Sequence, residues 1–207
     1  MVYKNFIFRL IFSLLFLFIY FITSIIDFQL VFFLIIIIYF TVLFEILINF
    51  KKSKILPILY IFISLTFFFY IDFNDEYLKK FNLFIFIIIS FDVFSYVVGK
   101  LIGRNKLIKL SPNKTIEGLI GGILLSLTLS IFFAYFLNIN INTKLIFFII
   151  LIITSAFFGD LIESYFKRTN NLKNSSELIP GHGGVFDRFD SFLFSIIFYS
   201  ISTYIYI

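Results

Sequence analysis

The sequence predicts an all-α protein, a polytopic integral membrane helical bundle with about seven transmembrane helices. Of the 207 residues, 61% are hydrophobic and only 14% are charged, and the mean hydropathy is +1.07. Soluble domains carry about a quarter charged residues. Several apolar runs approach or reach the roughly 20 residues that a helix needs to cross a bilayer. The chain contains no cysteine, which excludes disulfides, thiolate metal sites and cysteine nucleophiles.

Apolar segments, separated by polar or charged residues, define the predicted spans in chain order. They are residues 6–26, 30–48, 55–71, 82–98, 117–137, 145–166 and 188–207. The first is too long for the hydrophobic region of a cleaved signal peptide and has no small-residue cleavage site, so we expect it to be retained. We expect 1–207 to form a single integral membrane domain, in which 1–80 supplies apolar spans without a motif and 81–207 is the catalytic part.

The loops between these spans differ in charge. All but three of the 17 Lys and Arg residues fall on one side of the membrane, the exceptions being Lys79, Lys80 and Lys144. The positive-inside rule therefore places the N-terminus and the long basic loops 99–116 and 167–187 in the cytoplasm, and the C-terminus outside. Topology explains the net charge of +5, so no nucleic-acid partner is expected.

Residues that permit tight turns are concentrated in one part of the chain. All nine glycines lie between Gly99 and Gly184, and the only histidine, His182, lies among the last of them. The densest stretch, 177–190, reads Glu-Leu-Ile-Pro-Gly-His-Gly-Gly-Val-Phe-Asp-Arg-Phe-Asp. Consecutive glycines before a helix start favour phosphate oxygens, although a flexible hairpin between spans would look similar. The cations around this stretch are Lys167, Arg168, Lys173 and Arg188.

Carboxylates inside the predicted spans also indicate chemistry. Asp92 in the fourth span and Asp160 in the sixth lie at about the same depth, roughly 10 Å from the cytoplasmic end. Such a carboxylate costs several kcal/mol unless it is paired, hydrated or bound to metal. We expect a shared polar cavity, with a structural pair such as Asp160 and Lys167 as the alternative. Glu45, near the end of the second span, is interpreted as a snorkelling carboxylate, with a buried acid as the alternative.

Asp92 and Asp160 each lie on a polar stripe at helical spacing. The stripes are Asp92, Ser95, Tyr96 and Gly99 in the fourth span, and Asp160, Glu163, Ser164 and Lys167 in the sixth. Asp187 and Asp190 open the seventh span, where one aspartate would suffice as a helix cap. Because Asp160 and Asp187 flank one loop, the fold can bring them together, and their oxygens suit Mg²⁺.

The loop before the fifth span offers a second phosphate candidate. Ser111-Pro112 can start a helix, Lys114 offers a donor, and Glu117 resembles the acid of a capping box. The Walker order of glycines and lysine is missing. Gly118, Gly121 and Gly122 have the small-residue spacing that serves close helix packing.

These motifs together resemble the signature of the phosphatidate cytidylyltransferases, the CDP-diacylglycerol synthases. The matching stretches are Ser164-Tyr-Phe-Lys-Arg with Lys173, Leu178-Ile-Pro-Gly-His-Gly-Gly-Val-Phe-Asp-Arg-Phe-Asp190, Gly159-Asp160, Ser111-Pro-Asn-Lys-Thr-Ile-Glu-Gly118, and Asp92, Tyr96 and Gly99-Lys100. The resemblance covers roughly residues 90–192, and the first 80 residues match only in being apolar. The chain is shorter than typical members, so we expect an N-terminal span or two to be absent. One departure is Asn174, where the family has an aspartate after the lysine.

The resemblance implies transfer of a cytidylyl group from CTP to phosphatidate, with Mg²⁺ as cofactor and a second cation left open. It places a multi-pass enzyme in the cell (inner) membrane with its active site on the cytoplasmic side, and leaves a homodimer open. The metal centre would be Asp160 and Asp187. The full catalytic set is Asp160, Asp187, Lys167, Arg168, Lys173, His182, Arg188 and Asp190. Substrate or phosphate binding is assigned to Ser111, Lys114, Gly181, Gly183, Gly184, Asp92 and Tyr96. His182 could be an acid, a base, a phosphate donor or a loop residue.

Two alternatives remain open from the residues. One is another CTP-dependent lipid-modifying membrane enzyme, similar to polyprenol or phytol kinases or to the archaeal CDP-lipid (CDP-archaeol) synthases. The other is an ion-coupled transporter that uses Asp92 and Asp160 as its path, which would leave the glycine loop and its cations unexplained. The motif of the CDP-alcohol phosphotransferases is absent.

Overall fold

A computed structural model describes residues 18–108, 110–178 and 183–206 of the protein. The described residues form seven helices and one short hairpin. The helices are α1 (described from 18 to 26), α2 (Phe28–Asn49), α3 (Ile55–Phe69), α4 (Asp75–Ile102), α5 (Ile116–Phe136), α6 (Thr143–Thr169) and α7 (Phe186–Tyr206). The antiparallel hairpin lies between α4 and α5 and consists of β1 (Lys106–Ile108) and β2 (Ser111–Thr115).

The helices confirm the predicted all-α membrane class. Four of them are long and apolar enough to cross a membrane, namely α2, α5, α6 and the part of α4 from Tyr77 to Ile102. With 15 residues, α3 is shorter and spans about 22 Å. Residues 6–17 of the first predicted span lie outside the described residues. The cytoplasmic position of the N-terminus stays a prediction.

The start of α5 differs from the prediction. Ser111 lies in β2 rather than at a helix start, and the N-cap of α5 is Thr115, whose side chain accepts a hydrogen bond from the Gly118 amide at 3.1 Å. Proline has no backbone N–H to donate to a neighbouring strand, so within sheets it occurs mainly in edge strands, and β2 is such a strand. Glu117 is no capping-box acid, because its carboxylate accepts from the backbone amides of Arg104 and Asn105 at 3.1 and 3.2 Å.

The chain divides into two compact units. The first unit contains the residues up to Leu78 together with Phe166–Phe189, and the second contains Lys79–Tyr165 together with the residues from Asp190 onward. The loop between α6 and α7, residues 170–185 and hereafter the signature loop, therefore belongs to the same unit as α2 and α3. The expectation of one domain over 1–207 stays a prediction.

Packing in the first unit joins α2, α3 and the end of α6. The Tyr39 hydroxyl of α2 and the Ser64 hydroxyl of α3 are 2.6 Å apart. Asn170, which is buried, accepts hydrogen bonds from the amides of Lys52 and Ser53 at 2.9 and 3.0 Å and donates to the Ser53 carbonyl at 3.1 Å. One amide side chain thus holds the α2–α3 connection against the end of α6.

In the second unit, small residues let helices approach closely. A Cβ on Gly118 would lie 2.7 Å from the Ser95 carbonyl oxygen of α4, and one on Gly122 would lie 2.8 Å from the Ser95 Cβ. These distances confirm that the glycines of α5 serve helix packing. Between α6 and α7, the buried hydroxyls of Ser155 and Ser195 hydrogen-bond at 3.0 Å.

Candidate active site

Three carboxylates of the second unit converge where α6 meets α7. Asp160 and Glu163 lie one turn apart on α6, and Asp190 lies in the first part of α7; each offers an oxygen, and these oxygens all lie within 4.8 Å of one another. Glu163 is fully buried, and the two aspartates are half-buried. A Cβ on Gly159 would lie 2.6 Å from the Asp190 carbonyl oxygen, so a glycine there allows α7 to come this close. We call Asp160, Glu163 and Asp190 the acid group.

The hairpin supplies a cation to this group. Lys114 of β2 forms a salt bridge with Asp160 Oδ2, and its ammonium also lies over the Phe157 ring, 5.0 Å from the centroid. Ser164 donates a hydrogen bond to Asp160 Oδ1 at 3.4 Å. Within the second unit, the ion-pair partner of Asp160 is therefore Lys114, which the sequence analysis did not consider for this role. The two sequence motifs that contain Lys114 and Asp160 meet in space.

The donor set of the acid group fits a divalent cation. Carboxylate oxygens are the hard ligands that Mg²⁺ takes, usually one or two from the protein together with phosphate oxygens and water. Three carboxylates at this spacing could hold a metal ion. The sequence analysis assigned Asp160 to the metal but not Glu163. Glu163 lies on the same polar stripe of the helix as Asp160, and this spacing could have identified it as a further metal ligand.

Asp187 belongs to the first unit and has other partners. Lys167 donates to its Oδ1 at 2.6 Å, and both side chains are largely buried, 13% and 8% exposed. Its Oδ2 accepts from the amides of Ser175 and Gly184 at 2.9 and 2.8 Å. These contacts fix the Asp187 carboxylate at the base of the signature loop. Its pairing with Asp160 around one metal ion stays a prediction.

The backbone conformation at position 183 requires a glycine. It has φ +84°, a conformation that L side chains rarely adopt, and a Cβ there would contact Asp187 Oδ2 and lie 3.2 Å from the Asn174 Cβ. Only glycine reaches this conformation at little cost. The amide of the following Gly184 is engaged by Asp187, so phosphate binding by this amide stays a prediction.

Glu45 is not a snorkelling side chain. It is 1% exposed and accepts four hydrogen bonds from the signature loop and the start of α7. The alternative of a buried acid is the one that holds. Its partners could not be predicted from local sequence patterns, because they lie between 130 and 141 residues away along the chain.

The remaining site residues predicted from the sequence are spread over both units. In the second unit, Asp92 is exposed and accepts from the Ser191 hydroxyl at 3.2 Å. Tyr96 is also exposed there, with the Lys100 ammonium 5.8 Å from its ring centroid. In the first unit, Arg168, Lys173 and Arg188 are exposed. Gly181 and His182 lie outside the described residues. The roles assigned to all the residues in this paragraph, and to half-buried Ser111, stay predictions.

Comparison with known proteins gives one family. Residues 1–206 match the model of the cytidylyltransferase family. A phosphatidate cytidylyltransferase of Staphylococcus haemolyticus (strain JCSC1435) is 48% identical over 106 residues, which cover 50% of this chain and 40% of the relative. A protein of the same name from Staphylococcus aureus (strain COL) is 42% identical over 137 residues, 64% of this chain and 52% of the relative.

The chain thus spans about half the length of the curated relatives it matches. Because the family model covers nearly every residue, from the apolar N-terminal helices through the acid group to the signature loop, the match is not confined to the motifs. The resemblance found in the sequence is confirmed: the chain belongs to the cytidylyltransferase family.

Proposed function

We propose that this protein transfers the cytidylyl group of CTP to phosphatidate, giving CDP-diacylglycerol and pyrophosphate. The observation that carries the proposal is the acid group, Asp160, Glu163 and Asp190, with Lys114 paired to it. A divalent cation and phosphate oxygens are the ligands that such a set of carboxylates and a lysine suits. The names of the relatives and the signature motifs support the same reaction.

The acid group is proposed to hold Mg²⁺ through its carboxylate oxygens. When bound, Mg²⁺ supplies positive charge that neutralises the phosphates of a nucleotide. Lys114 is placed to exchange its pairing with Asp160 for a phosphate oxygen, since a lysine ammonium is a mobile point charge on a flexible stem. A site that includes Asp187 or a second cation remains part of the proposal.

The reaction needs positioning more than proton transfer. An oxygen of the phosphatidate phosphate attacks the α-phosphorus of CTP; one P–O bond forms, the bond to the leaving pyrophosphate breaks, and that bond's electron pair leaves with the pyrophosphate. Because the attacking oxygen is already anionic, no general base is required. The cations Lys167, Arg168, Lys173 and Arg188 are proposed to bind and orient phosphates, where fixed charge lowers the barrier.

The membrane setting follows the same proposal. Phosphatidate is held in the bilayer by its acyl chains, so an enzyme that modifies it has to present its site at the membrane surface. We place the protein in the cell membrane with the acid group and the signature loop on the cytoplasmic side, where CTP is found. A homodimer is compatible with this arrangement.

A purified preparation tests the reaction directly. The protein in detergent is given CTP, Mg²⁺ and phosphatidate, and we expect pyrophosphate release that requires both substrates. Release with a polyprenol or an archaeal-type lipid but not with phosphatidate would identify a different lipid acceptor. Ion flux in vesicles without turnover would replace the enzyme by a transporter. Asp27→Asn is a suitable control, because this exposed helix-capping residue keeps its role as an amide.

A further inference from the structure

We propose that Glu45 is a positioning residue that clamps the first half of the signature loop to the start of α7 and, through Ser175, orients Asp187. The effect of this clamp on turnover rests on the proposed function, whereas its effect on the mobility of the loop does not. Glu45 lies on α2, in the part of the chain where the sequence shows no motif. All the residues involved belong to the first unit.

Each oxygen of the Glu45 carboxylate joins a serine of the signature loop to a backbone amide at the start of α7. Oε1 accepts from the Ser176 hydroxyl at 2.8 Å and from the Val185 amide at 2.7 Å. Oε2 accepts from the Ser175 hydroxyl and from the Phe186 amide, both at 3.0 Å. Two residues in the first half of the loop are thereby tied to the two residues where α7 begins.

The chemistry of the clamp requires a carboxylate. Two of its four donors are backbone N–H groups at the start of α7, which have no partner within the helix and carry its partial positive charge. An ionised carboxylate offers only acceptors, whereas an amide turns one of its two positions into a donor. Glutamine at position 45 would therefore place an N–H group against a backbone N–H at one of the two bridges.

Gly184 is shaped to admit this carboxylate. A Cβ on Gly184 would lie 2.5 and 2.7 Å from the two oxygens of Glu45, and it would also contact the Ser175 hydroxyl. Any larger residue would displace the acid or the loop. The glycine and the glutamate, far apart along the chain, therefore fit one another.

Ser175 connects the clamp to Asp187. This residue is fully buried, and its hydroxyl lies 3.0 Å from Glu45 Oε2 and 3.2 Å from Asp187 Oδ2, while its amide donates to the same Asp187 oxygen at 2.9 Å. A shift of Ser175 would therefore move the partner that holds Asp187. Asp187 is one of the acids assigned to catalysis, so the clamp acts on turnover through it.

A spin label reports on the loop independently of activity. Because the chain has no cysteine, Leu178→Cys in the exposed part of the loop provides a unique attachment site. We expect Glu45→Gln to sharpen the nitroxide spectrum in detergent, and Asp27→Asn, the matched change of acid to amide on the same helix's N-cap, to leave it unchanged. An unchanged spectrum in Glu45→Gln overturns the proposal.

Kinetics separate a positioning role from a merely structural one. In the phosphatidate-dependent assay, Glu45→Gln should lower kcat by about 10- to 100-fold, which is the usual effect of removing a residue that orients a metal ligand. The KM for phosphatidate should change by less than about twofold. Ser175→Ala should also lower kcat. Greater label mobility with an unchanged kcat overturns the positioning role.

Two further outcomes remain decisive. If the parent protein shows no turnover with phosphatidate, the proposed function fails while the label spectrum still decides for or against the clamp. If Glu45→Gln does not insert, Ser175→Ala removes one of the four hydrogen bonds to Glu45 and keeps the carboxylate. It also leaves in place the Ser176 hydroxyl, which accepts from the amide of Leu178 at the label site. That variant should raise label mobility by a smaller amount, and an unchanged spectrum there overturns the proposal.

Discussion

Replacing Lys114 by glutamine should separate metal binding from turnover at the acid group. Lys114 forms a salt bridge with Asp160, and the two side chains are 24% and 30% exposed. Two unit charges about 4 Å apart interact by ~4 kcal/mol at an effective dielectric constant near 20 and by ~1 kcal/mol in water. For this partly exposed pair we take about 1–2 kcal/mol. Removing the ammonium should therefore tighten binding of a divalent cation by about 5- to 30-fold.

Turnover should change in the opposite direction, because Lys114 is also proposed to bind a substrate phosphate. Titration with Mn²⁺ as a paramagnetic probe, with Mg²⁺ as competitor, measures affinity on purified protein in detergent. The control is Lys106→Gln, which removes the same charge from an exposed position on β1. Glu163→Gln should weaken binding. Equal Mn²⁺ affinity in Lys114→Gln and Lys106→Gln would refute the assignment of the metal to the acid group.

Four further substitutions test the site, and one labelling experiment tests the topology. Asp160→Asn and Asp187→Asn should each lower the rate of pyrophosphate release roughly a thousandfold in a folded protein, because an amide is a poor Mg²⁺ ligand; a near-normal rate would remove that residue from the centre. Gly183→Ala, at φ +84°, should lower the Tm in detergent by destabilising the fold by about 1 kcal/mol or more; an unchanged Tm would contradict the strain. Asn174→Asp should lower the Mg²⁺ concentration for half-maximal rate by adding a carboxylate beside Gly183, and unchanged kinetics would make it a neutral loop residue. A probe at Lys173 should be accessible from the cytoplasm and a C-terminal tag from outside, as the positive-inside rule requires; a cytoplasmic tag would mean a different number of spans.

The helices could be predicted from the sequence because their signal is local. An apolar run of sufficient length predicts a membrane helix wherever it lies, and the bounds of α2 and α5 agree with the prediction to within two residues. The hairpin was missed because two strands of three and five residues carry no clear alternation. Because the hairpin was not predicted, Ser111, which lies in β2, was expected at a helix start.

The candidate site was predictable in its residue types but not in its pairings. Helical spacing put Asp160 and Lys167 on one face, yet Lys167 pairs with Asp187, and Asp160 pairs with a lysine of the hairpin. Salt-bridge partners depend on which elements pack together, and an amphipathic pattern does not contain that information. Glu45 is the clearest case, since an acid near the end of an apolar run has the same sequence pattern whether it snorkels or is buried.

The contacts of Glu45 have a consequence for how the chain is made. Its partners lie 130, 131, 140 and 141 residues further along, and ribosomes add about 5–20 residues per second. Some 7 to 28 seconds therefore pass, by that rate, between synthesis of α2 and synthesis of the start of α7. During this interval the α2 helix has an acidic group without its final donors, and a carboxylate without partners is costly inside a membrane. The donors that Glu45 has in the folded protein are thus among the last parts of the chain to be made, and until then its carboxylate needs other hydrogen-bond partners, such as water.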